Sequence, residues 1–250
     1  MERLFVFVHF VDRPWNNLPI LNIDEPLVFL PSELLRIEPH PYVSLGAPYG
    51  KYQNPWQLRQ DVVRRLVSAQ ESLIKENANL RLAIFDAWRP IAVQEFMIDY
   101  EIKKACLTRQ LNPSCKDHYA QYQELLEEIS LFWAPPSKDP KKPPPHSTGA
   151  AVDLTLSNKL GEPLMMGGEI DEIGEVSSPE FYKDVANDRP ESEFSLWHSR
   201  RKLLAHVMFS AGFEQHPKEW WHFSFGDQLW GWKSNSNYAL YGLFSPEKSI

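Results

Sequence analysis

His146-Ser147-Thr148-Gly149-Ala150-Ala151-Val152-Asp153 sets a histidine and an acid seven residues apart, with a glycine between them. Imidazole and carboxylate are both good zinc ligands, and a catalytic zinc takes three protein ligands while a fourth position stays open. Val152, Leu154 and Leu156 alternate with Asp153 and Thr155, the period of a half-buried strand. Such a strand holds Asp153 on one face, and Gly149 lets the chain fold back to bring His146 beside it. Alone, this spacing is more often a surface loop ahead of an ordinary strand. A third ligand is needed to make it a site.

Further along stands Lys218-Glu219-Trp220-Trp221-His222-Phe223-Ser224-Phe225-Gly226. Phe223 and Phe225 share one face of a strand, which leaves His222 on the other with Ser224. Glu219, three residues before His222, falls on the opposite face of an unbroken strand. For both to act at one metal, the chain must turn between them or Glu219 must lie in the loop entering the strand. A carboxylate near a zinc-bound water is the general base of many metallopeptidases. The competing reading is aromatic core beside a surface acid.

The rest of the chain supplies a body for such a site. Leu58, Val62, Leu66, Ala69 and Leu73 fall at helical spacing, with Arg59, Arg64, Arg65, Glu71 and Lys75 on the polar face, and predict a helix over residues 56–79. Residues 80–85 read as a strand running into Asp86-Ala87-Trp88-Arg89-Pro90, where Pro90 disfavours helix for Arg89. Further helices are expected over 91–107, 117–132 and 193–211, the last with Leu196, Leu203, Leu204, Val207 and Met208 buried and Gly212 as its cap. Residues 20–50 read as extended pieces and turns, 157–187 as a long acidic stretch, and 235–250 as irregular. Residues 134–145, with six prolines, predict a stiff connector holding the His146 loop at the surface. The remaining histidines (His9, His40, His118, His198, His206 and His216) have no partner at ligand spacing and read as surface or satisfied core residues.

Composition excludes several function classes. The 250 residues carry a formal net charge of −7, which argues against nucleic acid or an anionic membrane as partner. Two cysteines, Cys106 and Cys115, make neither a disulfide framework nor a cysteine-rich zinc site, and read as a reduced pair. The apolar run 4–11 is too short to span a bilayer and lacks the basic start and small-residue cleavage site of a signal peptide. It reads as a strand or tail within a leader, residues 1–18. A cytoplasmic location is the default, and residues 19–250 read as a single domain.

Together the motifs resemble a known family. H-S-x-G-x-A-x-D-L-T-L followed by E-W-W-H-F is similar to the zinc D-alanyl-D-alanine dipeptidases, the VanX-like branch of the D,D-peptidases. Phe85-Asp86-Ala87-Trp88-Arg89-Pro90 matches that family's arginine turn, and Met166-Gly167-Gly168-Glu169-Ile170-Asp171 resembles its M-G-x-x-[FI]-D segment. The four motifs keep the family's order and span about residues 42–230. The resemblance implies an α+β fold, a small and mostly antiparallel sheet flanked by helices. It implies one zinc per chain on His146, Asp153 and His222, with Glu219 as general base. Arg89 would steady the charge on the cleaved carbonyl, its bland alternative being a salt bridge with Asp86. Asp171 would hold the substrate ammonium, and one of Tyr42, Tyr49 and Tyr52 would lie near the substrate. The implied substrate is a small D,D-dipeptide.

The chain departs from the family just before His146, where prolines replace the usual serines, and at Thr148, which replaces an arginine. Two other functions stay open at this point. One is a D,D- or L,D-carboxypeptidase acting on longer wall peptides. The other is a zinc-binding interaction module without catalysis, which would need neither Glu219 nor Arg89.

Overall fold

The computed structural model describes residues 13–51 and 53–245, so the apolar run 4–11 and Tyr52 lie outside the described residues. Along the chain come β1 (Leu27–Phe29), β2 (Leu35–Arg36), α1 (Pro41–Ser44), β3 (Gln57–Arg59), α2 (Gln60–Glu76), β4 (Leu80–Asp86), α3 (Ile91–Thr108) and α4 (Tyr119–Phe132). There follow β5 (Ala151–Asn158), α5 (Lys183–Asp188), α6 (Glu193–Ser210), β6 (Glu214–Gln215), β7 (His222–Ser224) and α7 (Gln228–Lys233). A five-stranded sheet has the order β2-β4-β5-β7-β6, and β1 pairs with β3 in a two-stranded ribbon. Among these strand pairs of the described residues, β2–β4 is parallel and the others are antiparallel. The α+β expectation holds.

The central strand β5 decides where the site falls. Val152, Leu154 and Leu156 enter a core shared with Leu66 and Leu73 of α2 and Leu204, Val207 and Met208 of α6. The alternate residues Ala151, Asp153, Thr155 and Ser157 are buried as well, on the other face. Each buried leucine contributes about 1.5–3 kcal/mol. A slip of one residue would drive Asp153 into that apolar core, so the register is pinned. A second, smaller cluster joins Val93, Met97 and Ile98 of α3 to Leu125 and Ile129 of α4, with Tyr42 and Trp133.

Three expectations need correction. The helix predicted over 56–79 begins only at Gln60, because Gln57–Arg59 pair with β1 and Arg59 is still extended. Arg59 is committed to the His146 loop instead: its backbone N–H donates to Gly149 O and its Nε to Thr148 O. In α6, Leu196 is 48% exposed while Arg201 is buried. The guanidinium of Arg201 takes the inward face because it donates to the carbonyls of Met166, Val176 and Ser178, stitching the acidic stretch to the helix. The proline-rich connector does not hold its loop at the surface, since Pro143, Pro144 and residues 146–149 are buried.

The loop is buried because backbone closes around it. Gly149 adopts φ +75°, and a Cβ there would stand 2.3 Å from Leu27 Cδ2. Glycine therefore answers both the left-handed turn and the close approach of β1. Arg89 N–H donates to His146 O and Phe244 N–H to Ser147 O. The short helices α1, α5 and α7 were not legible as amphipathic repeats. Cys106 and Cys115 are free thiols.

Candidate active site

Asp153 and His222 are direct cross-strand partners on β5 and β7. His146 arrives from the single 3₁₀ turn Pro145–Thr148 that leads into β5. His146 Nε2 and His222 Nδ1 lie 3.2 Å apart, and Asp153 sits between them with Oδ2 3.1 Å from the first and Oδ1 3.0 Å from the second. All three side chains are buried. Their ligand atoms lie within 4.8 Å of one another, a group able to hold a metal ion.

The donor set fits a small divalent cation. Ligands on a tetrahedral zinc stand roughly 3.3–3.6 Å apart at ordinary bond lengths, close to the spacing here. The outer contacts also aim the rings. His146 Nδ1 donates to Ala87 O at 2.8 Å, which leaves the Nε2 lone pair facing the centre. His222 Nε2 lies 3.3 Å from Ser224 Oγ, which turns Nδ1 inward. Burial alone would raise the pKa of Asp153, but His146 and His222 hold it far below the usual carboxylate range.

Glu219 lies in the β6–β7 loop, so the chain does turn before His222 as the sequence required. Its Oε2 is 3.6 Å from His222 Nδ1, and its Oε1 is 3.5 Å from His216 Nδ1. Burial, then the charge of Asp153, pushes its pKa up to about 8, against the pull of Arg13, His146 and Arg89.

Arg89 makes the expected salt bridge and still faces the cleft. Nε and Nη2 donate to Asp86 Oδ2 at 3.0 and 2.7 Å, Nη1 donates to Gln94 Oε1 at 2.8 Å, and Nη2 to Tyr42 OH at 3.2 Å. Burial would lower its pKa, but Tyr42, Asp86 and Asp153 raise it well above the ordinary value. Asp86 in turn is held down, despite complete burial, by Arg89, His40 and His146. A guanidinium has five N–H donors; these contacts take four, leaving one for a ligand.

Asp171 is half-buried rather than a solvated loop acid. It accepts a hydrogen bond from Tyr42 OH at 2.8 Å, with its backbone at φ +66°. Burial and then Asp153 push its pKa up to about 8. All six candidate residues line one cleft of roughly 490 Å³ including its open mouth, between the Asp153 face of the sheet and the ends of α3 and α4.

Residues 36–240 match the Peptidase M15 family, described as D-ala-D-ala dipeptidase. The chain belongs to that family. A D-alanyl-D-alanine dipeptidase of Synechocystis sp. (strain ATCC 27184 / PCC 6803 / Kazusa) is 41% identical over 229 residues, covering 90% of this chain and 92% of that protein. The D-alanyl-D-alanine dipeptidase of Escherichia coli (strain K12) is 37% identical over 78 residues, covering 31% and 36%. A solved LD-carboxypeptidase, LdcB, superposes with a TM-score of 0.40 at 15% identity over 82% of this chain and 69% of its own, a likeness too slight to carry weight. As an M15 peptidase the chain is a metallopeptidase, and His146, Asp153 and His222 form its candidate metal group.

Several residues of this M15 site escaped sequence reading. Tyr42 could not be told from Tyr49 and Tyr52, yet it is Tyr42 that bridges Arg89 and Asp171. His216, read as a surface or core residue, is buried beside Glu219 with its ring 5.6 Å from that of His222. Burial and the charge of Arg13 keep it neutral, well below the usual histidine range. His40 is a buried core residue whose Nδ1 accepts from the Tyr42 backbone N–H at 3.1 Å and whose Nε2 lies 3.2 Å from Asp86 Oδ1. Thr148, where the family has arginine, locks the turn by donating to Pro145 O at 2.6 Å. No linear signal marks Tyr42 or His216, because their partners are far away in sequence.

Proposed function

We propose that the chain hydrolyses D-alanyl-D-alanine to two molecules of D-alanine with one zinc held by His146, Asp153 and His222. The observation that carries this reading is the meeting of the three-donor group with Glu219, Arg89 and Asp171 in a single cleft. Zinc bound there would supply Lewis acidity, lowering the pKa of a water to roughly 7.

The chain's own groups do the rest. Glu219, poised beside His222 without being one of the three donors, takes the proton of the attacking water and returns it to the leaving amine. Arg89, gripped by Asp86 and Gln94, directs its remaining N–H at the oxygen of the tetrahedral intermediate. Asp171 pairs with the ammonium of a free dipeptide, which favours a dipeptidase over a carboxypeptidase acting on longer peptides. Once an ammonium is near, the carboxylate form of Asp171 is stabilised.

No described helix is long and apolar enough to cross a membrane. The reading is of a cytoplasmic enzyme with a small-molecule substrate. The test is release of D-alanine from D-alanyl-D-alanine by protein of measured zinc content, with and without chelator. Turnover that follows zinc stoichiometry supports the proposal. Turnover indifferent to chelation, or cleavage only of N-acylated peptides, overturns it.

A further inference from the structure

Arg13 precedes the stretch that matches the family, yet it reaches the catalytic cleft. It is only 9% exposed. Its Nη2 donates to the carbonyls of Ser130 and Phe132, at 3.4 and 3.2 Å, where α4 ends. The guanidinium also lies 5.8 Å from the ring of Trp15, which itself packs edge-on against His216. These contacts aim the group without neutralising it. Among the described residues, no acid forms an ion pair with Arg13; Glu219 acts on it only as a more distant charge. An enclosed cation without a paired anion is costly, and burial already lowers its pKa. Such a group is completed by an anionic ligand.

A free dipeptide brings one ammonium and one carboxylate. Asp171 suits the ammonium. Arg89 is the cleft's other guanidinium, but Asp86, Gln94 and Tyr42 already occupy its fork. Phe132, whose carbonyl Arg13 holds, lines the cleft together with Ala134 and Pro145, and the side chains of these three carry no hydrogen-bond donor. Trp133, His216 and Trp221 line it too, but their donors are uncharged ring N–H groups. The N–H groups of Arg13 not directed at Ser130 and Phe132 are therefore charged donors at this cleft that no acid among the described residues engages, with the charge and geometry a carboxylate prefers. Resting on the dipeptidase reading above, we infer that Arg13 anchors the C-terminal carboxylate of the substrate and sets the preference for a free C-terminus.

The experiment compares kcat/KM for D-alanyl-D-alanine and its C-terminal amide in the wild type, Arg13→Gln and Arg13→Lys. The ratio of the two substrates does not depend on how much protein is folded, so a weakly stable variant still gives an answer. Charge-assisted hydrogen bonds of this kind correspond to about 10- to 100-fold in affinity. The wild type should favour the acid by that factor, mostly in KM. Arg13→Gln should bring the ratio close to one, and Arg13→Lys should recover part of it. Loss on both substrates alike would overturn the inference and make Arg13 a support for the cleft or for Glu219. A wild type that cleaves acid and amide equally would overturn it too, while leaving the dipeptidase reading intact. Calorimetric titration of the two ligands into zinc-loaded Glu219→Gln protein, with and without Arg13→Gln, reads the same ratio without turnover. If the wild type cleaves neither, that titration still decides on Arg13 while the dipeptidase reading fails by itself.

Discussion

Replacing Glu219 by glutamine keeps the size and most of the hydrogen bonding of the side chain but removes its basicity. A positioned general base contributes typically about 10² to 10⁴ in rate. In the proposed mechanism Glu219 serves both the attacking water and the leaving amine, so the loss should reach or exceed the top of that range. The same substitution has a second consequence in the metal-free protein. Burial and Asp153 push the Glu219 carboxyl up to about 8 from an ordinary 4.5. Between those values the folded chain holds a proton that the unfolded chain has released, so stability falls as pH rises through that window and levels off above it. A gap of that size corresponds to a ceiling of about 5 kcal/mol. Glu219→Gln should therefore melt higher than the wild type at pH 9, with no such gain at pH 5. Asp171, also near 8, adds a second step of the same sign, so the variant's pH profile flattens without disappearing. The assays are D-alanine release, zinc content by mass spectrometry, and melting of the metal-free proteins from pH 5 to 9. A variant that turns over within tenfold of the wild type while zinc-replete refutes the role of general base. One that is inert and zinc-free makes Glu219 a ligand. Identical pH–melting profiles refute the account of its burial.

His222→Ala removes one of three donors standing 3.0–3.2 Å apart, so metal analysis should show near-complete loss of zinc; full retention would remove His222 from the ligand set. Arg89→Lys keeps the charge but cannot span Asp86, Gln94 and the substrate at once. Its kcat should drop by about 10² or more with little rise in KM, whereas a change confined to KM would make Arg89 a uniform binding group. Asp171→Asn should narrow the gap between free and N-acetylated D-alanyl-D-alanine by about tenfold; an unchanged gap would show that the ammonium is held elsewhere.

Much of this protein could be read without coordinates because its signals are local. Alternation from Val152 to Leu156 marks β5, and the same alternation puts Asp153 opposite the leucines; both faces are buried, but only one is apolar, and that pins the register. Gly149 marked the turn that carries His146 back, and α3, α4 and α6 followed from apolar periodicity or proline stops. What the sequence left undecided depended on distant partners. Helix α2 lost its first turn because Arg59 is needed, extended, by the carbonyls of Thr148 and Gly149. Leu196 lost its buried place to Arg201, whose charge finds three carbonyls from another segment. The His146 loop was expected at the surface, yet it is buried by contacts that no spacing within the proline run before it reveals, while residues 138–142 of that run stay exposed. His216 and Arg13 line the cleft, and Tyr42 on the short helix α1 backs it through Arg89 and Asp171, all from segments where no periodicity announces which side faces inward. Local chemistry decides which residues can bind a metal or fold a strand. Only tertiary packing decides which charges lose their water and meet, and that sets the pKa of Glu219 and leaves Arg13 without an ion-paired acid among the described residues.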